Sequence, residues 1–158
     1  MVEQKKLRLG VVAMLDNEIL SNIDILIHCA YSFDATSLKN SRKINVIGSE
    51  KIFKLVSKFK IKIIYISSIS AFEGCSTVHG KVKLEIENIA KKFNAIIIRP
   101  GLIYSKENQG AMFCSLVNLV KKYPIIPLID NGEQILYMCK LEVLCDLIYV
   151  LSKQEKSK

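Results

Sequence analysis

Ile61-Lys62-Ile63-Ile64-Tyr65-Ile66-Ser67-Ser68-Ile69-Ser70-Ala71-Phe72-Glu73-Gly74 decides the fold. A strand-length apolar run, Ile61 to Ser67, ends abruptly in hydroxyl side chains. The segment after it, His79-Gly80-Lys81-Val82-Lys83-Leu84-Glu85-Ile86-Glu87, changes to helical periodicity. Val82, Ile86, Ile89, Ala90 and Phe93 make one apolar stripe of that helix. The same alternation recurs along the chain. Strands are predicted at Leu7 to Met14, Asp24 to Ala30, Ala95 to Arg99 and Ile126 to Ile129. Runs such as Ile96-Ile97-Ile98 suit strands covered on both faces, which means a parallel sheet. Between them, Ile44, Ile47, Leu55 and Phe59 are expected on the buried face of a long helix, with Gly48 allowing close approach to the sheet. Phe113, Leu116, Val117 and Val120 mark another helix. Leu141, Leu144, Ile148 and Leu151 mark the last, after a turn at Asp130-Asn131-Gly132. Strands alternating with helices predict an α/β fold, in which ligands sit beyond the carboxyl ends of the strands.

Composition agrees with one globular domain over 1–152 and a polar tail over 153–158. The chain has 158 residues, 50% hydrophobic and 24% charged, with only 7 Gly and 3 Pro, which excludes collagen-like and disordered classes. No run approaches the ~20 apolar residues of a membrane span. Lys5, Lys6 and Arg8 precede the apolar run Leu9 to Leu15, but Asp16, Asn17 and Glu18 interrupt it, so no signal peptide is expected and a cytoplasmic location is. The net charge is +8, and 20 of the 23 basic residues are lysines scattered over several segments. That pattern reads as a solvated surface and not as a nucleic-acid face. The five cysteines, Cys29, Cys75, Cys114, Cys139 and Cys145, show no C-x-x-C spacing, so neither a zinc site nor a disulfide framework is expected.

Four features in order along the chain resemble the NAD-dependent epimerase/dehydratase family, the extended branch of the short-chain dehydrogenases/reductases. They are His28-Cys29-Ala30 at a strand end with Asn45 and Gly48 on the next helix, Ser67-Ser68, the helix start from His79 to Lys83, and Arg99-Pro100-Gly101-Leu102-Ile103-Tyr104. The resemblance implies a Rossmann-like parallel sheet and NAD or NADP as cofactor. It also implies a small-molecule substrate, with a sugar nucleotide as the typical class. It assigns Ser68, His79 and Lys83 to catalysis. Ala30, Tyr31, Asn45, Lys83, Pro100 and Ile103 are assigned to the cofactor. No metal, membrane or nucleic acid is implied.

Two departures temper what the resemblance implies. No glycine-rich fingerprint, which would hold a pyrophosphate, is present. The chain is therefore expected to begin at the family's third strand, with the first two strands missing, and to bind a dinucleotide weakly. His79 stands where the family carries a catalytic tyrosine. A neutral imidazole beside Lys83 accepts a proton but releases one only as imidazolium, so histidine is expected to replace the phenol poorly. Two function classes stay open: an impaired oxidoreductase, or a non-catalytic half-chain completed by a partner. Loss of two strands would also leave Asp24 to Ala30 as an apolar edge open to self-association or to a protein partner.

Overall fold

The computed structural model describes residues 17–35, 37–106, 111–123, 131, 133 and 135–154. The predicted strands at Leu7 to Met14 and Ile126 to Ile129 lie outside them. The described chain divides into two compact units, Met1–Ile98 and Arg99–Lys158.

The first unit is an α/β sandwich. A short helix α1 (Asn17–Ser21) leads into β1 (Ile25–His28), and α2 (Leu38–Ser41) runs through a π-helical turn, Arg42–Val46, into α3 (Ile47–Ser57). Then come β2 (Lys62–Ile66), α4 (Val78–Lys92) and β3 (Ile96–Ile98). The three strands form one parallel sheet in the order β1-β2-β3, with Ile27 opposite Ile64 and Ile64 opposite Ile96. Each strand is a residue or two shorter at either end than its apolar run. All five residues of β2 are buried, as a central parallel strand demands. Phe53 and Val56 of α3 and Val82, Ile86 and Ala90 of α4 close on Leu26, Ile63 and Tyr65 of the sheet. Lys60 and Asn94, just past α3 and α4, take positive φ of 56° and 53°, the left-handed residue that turns a helix back toward a strand.

The stripe expected on the long helix holds at Leu55 and Phe59, which pack against the core, and is corrected at its start. Ile44 and Ile47 are 49% and 46% exposed, while Ser41, Asn45, Ser49, Phe53 and Val56 make the buried face. Successive steps of four residues drift by about 40° on a straight α-helix. The wider π turn absorbs the drift and keeps Ser41, Asn45 and Ser49 in line. Gly48 is corrected too, since a Cβ there would meet nothing within 4 Å.

The second unit holds β4 (Leu102–Tyr104), α5 (Ala111–Lys122), β5 (Met138–Lys140) and α6 (Leu141–Lys153). β4 and β5 pair in parallel with Ile103 opposite Cys139, and neither three-residue strand shows in the sequence pattern. Gly101 is packed so tightly that a Cβ would lie 2.2 Å from the Tyr137 carbonyl oxygen. Leu144 anchors α6, whose last turn takes in Ser152 and Lys153, so the helix runs into the expected tail. No helix among the described residues is long and apolar enough to cross a membrane.

Candidate functional site

The site lies at the carboxyl ends of β1 and β2, where α4 begins. Thr77 caps α4 by accepting the Gly80 amide at 3.1 Å, which sets His79 in the first turn. Gly80 is the residue that lets this turn sit down: a Cβ there would lie 2.3 Å from the Ser70 carbonyl oxygen. The helix N-terminus is thereby pressed against the Ser67 to Ser70 segment. Ser70 Oγ lies 3.2 Å from His79 Nδ1 and 2.9 Å from Ser68 Oγ, and the Ser70 amide donates to Ser68 Oγ at 3.2 Å. The sequence favours Ser68 over Ser70; in the structure Ser70 is the serine that touches His79, and Ser68 stands one hydroxyl further out.

Lys83, one turn along α4, is 5% exposed and therefore no surface lysine. Its ammonium donates to the Ile66 carbonyl at 2.8 Å and lies 5.2 and 5.1 Å from the ring centres of Tyr31 and Tyr65. Burial pulls its pKa down to about 8, against the opposing pull of Cys29 and of Glu87. Glu87 itself is 1% exposed. Its place four residues after Lys83, on the stripe of Val82, Ile86 and Ala90, was the available signal for it. His79 is held below the usual imidazole range by burial and then by the Lys83 charge.

The β1 end adds rings. Tyr31 meets the His79 imidazole edge-on at 4.8 Å, and Phe33 stacks on it at 5.6 Å although 74% exposed. Phe33 has no signal in the sequence, because the contact depends on how the loop after β1 folds back. Asn45 does that folding. Its Oδ1 accepts the Ser32 amide at 2.8 Å, and its Nδ2 donates to the Ser32 carbonyl and to Ser41 Oγ, each at 3.0 Å. Ser41 Oγ also lies 3.2 Å from the Tyr31 hydroxyl. Both amide protons of Asn45 are thus engaged within the protein, and Ser41 links it to Tyr31. Ala30 is exposed at the end of the strand. Pro100, buried, and Ile103, on β4, belong to the second unit. Among the described residues no three His, Cys, Asp or Glu side chains gather as metal ligands.

The arrangement offers a titratable imidazole, two hydroxyls and a buried cation around one strand end. That set can orient an oxygen and move a proton, and its cation can hold vicinal hydroxyls. An NAD-binding family model described as "Male sterility protein" matches residues 3–89, more than half of the chain. No curated protein matches it significantly. Among solved structures it is similar to dTDP-4-dehydrorhamnose reductase from Bacillus anthracis, solved with NADP, at 21% identity and a TM-score of 0.68, over 83% of this chain and 52% of that one. It is similar to ADP-L-glycero-D-manno-heptose-6-epimerase from Helicobacter pylori at 20% identity and a TM-score of 0.69, over 90% and 55%. The PhqB reductase domain from Penicillium fellutanum gives 17% and 0.69, over 90% and 44%. The fold is shared, and the chain spans about half the length of these proteins.

Proposed function

This chain belongs to the NAD-binding family described as male sterility protein, and on that footing we propose that it serves an NAD(P)-dependent oxidoreductase of the reductase or epimerase type, acting on a small hydroxyl or carbonyl compound. The single observation that carries the reading is the buried Lys83, held one turn below His79 at the strand end. A buried lysine whose pKa burial pulls down to about 8, at the end of a strand, is the kind of group that marks a ligand site.

The residues present fit one end of the cofactor. Two of the three Lys83 ammonium protons remain for ribose hydroxyls once Ile66 has taken one. Ala30 and Tyr31 would line the nicotinamide side, with Asn45 holding Tyr31 in place, and Pro100 and Ile103 are the second unit's candidates. When bound, the nicotinamide supplies or accepts hydride. Ser68 would orient the substrate oxygen, and His79 would exchange a proton with it. Sugar nucleotides are the substrate class we propose, in keeping with what the reductase and epimerase of similar fold are named for. No glycine-rich fingerprint in the sequence matches the pyrophosphate. A second reading is a non-catalytic binding module that works with a protein partner.

Titration of the full chain with NADPH and NADH tests the proposal. Saturable binding, weaker than micromolar and abolished by Lys83→Met, is expected. Binding unchanged in Lys83→Met would overturn the role given to Lys83, and micromolar binding by the wild type would overturn the argument from the missing phosphate loop.

A further inference from the structure

A neutral imidazole in place of a phenol has a difficulty. Having given up its one ring proton, it must recover another without passing through a charged state that burial and Lys83 both oppose. The hydroxyls beside it resolve this. The Ser70 amide donates to Ser68 Oγ, and Ser70 Oγ bridges Ser68 Oγ and His79 Nδ1 at 2.9 and 3.2 Å. Each hydroxyl has a single proton to donate. The chain therefore has two consistent arrangements. In one, Ser68 donates to Ser70 and Ser70 to Nδ1, and the imidazole proton sits on Nε2. In the other, Nδ1–H donates to Ser70, Ser70 donates to Ser68, and Nε2 carries a lone pair.

We propose that Ser70 is a positioning residue that couples His79 to Ser68 as a two-hydroxyl relay, through which the imidazole changes tautomer without becoming charged. The proposal rests on the reading of His79 as the group that exchanges a proton with substrate. In the reductive direction, a bound reduced dinucleotide would supply hydride to the carbonyl carbon as the C=O π bond breaks. The Nε2 proton passes to the substrate oxygen. Nδ1 then takes the Ser70 hydroxyl proton, Ser70 takes that of Ser68, and Ser68 takes one from solvent. The carbonyl is reduced, the dinucleotide is oxidised, and one solvent proton is consumed. The oxidative direction reverses each transfer.

The competing account is that Ser68 and Ser70 only close a turn at the strand end, as serines commonly do. Ring 15N spectra of the full chain labelled in histidine separate the two. The chain has two histidines. His28 Nε2 must donate to Ser49 Oγ, because that hydroxyl already donates to the Asn45 carbonyl, so His28 is an internal standard of one fixed tautomer. The wild-type His79 nitrogens are expected at averaged positions between the protonated and bare types. Ser70→Ala should resolve them into a single tautomer, and Ser70→Thr, which keeps the hydroxyl, should restore the averaging. Should Ser70→Ala lose the fold, Ser68→Ala breaks the relay one hydroxyl further out and is expected to give the same collapse. One fixed tautomer in the wild type, or averaging that survives removal of either hydroxyl, would overturn the proposal. Because the spectra need no dinucleotide, averaging in a chain that fails to bind NADPH would sink the oxidoreductase reading and leave the relay standing.

Discussion

His28 is buried neutral, 2% exposed, between Phe53 at 5.2 Å and Tyr65 at 5.6 Å, and its Nδ1 has no hydrogen-bond partner. Protonating that nitrogen would bury a charge and an unmatched donor together. Burial, and then the Lys83 charge, accordingly pull its pKa from 6.5 down to about 4. Between those values the unfolded chain binds a proton that the folded chain refuses, so stability present above pH 6.5 is lost as the pH falls toward 4. The loss amounts to about 3 kcal/mol at 1.36 kcal/mol per unit. Urea unfolding midpoints followed from pH 7 to 4 should fall along this course, and a His28→Phe variant should flatten the profile. An equally steep fall in the variant would assign the effect to other groups.

Two glycines on neighbouring helices carry opposite expectations. Gly48 on α3 faces open space, so Gly48→Ala should stabilise the protein by about 0.5–1 kcal/mol through helix propensity. Gly80 on α4 has the Ser70 carbonyl in the way, and Gly80→Ala should destabilise by about 2 kcal/mol or more. It should also displace the neighbouring His79 ring from Tyr31 and Phe33. Thermal melts of the pair, with the His79 ring resonances as a second readout, check both. The pair also shows how far patterning reaches. Val82, Ile86 and Ala90 were legible because α4 is a regular helix and burial follows its period. Ile44 and Ile47 misled because a π turn shifts the phase, and no apolar pattern encodes such a turn. Asn45 stands out in the sequence by the N-x-x-G pair it makes with Gly48, whereas its two hydrogen bonds to the Ser32 backbone depend on the folded loop.

At the scale of the molecule, Ile96-Ile97-Ile98 announced the parallel sheet, though that strand is only half-buried and β2 alone is buried throughout. The division at Ile98 and Arg99 left no composition shift behind, and β4 and β5 are too short to show a period. Among the described residues β1 pairs with β2 alone. Ile25 to Ile27 amides are therefore expected to exchange faster than those of Ile63 to Tyr65, and to gain protection as protein concentration rises and chains associate. Protection of Ile25 to Ile27 at the global unfolding limit in a dilute monomer would defeat that expectation. The packing over Lys83 has a practical consequence. Lys83 is 5% exposed, so an acylating reagent should reach it only through an opening of the packing around it. Its labelling rate, followed by mass spectrometry beside that of exposed Lys81, becomes a clock for the opening of the site, one that a bound dinucleotide should slow while the Lys81 rate stays the same.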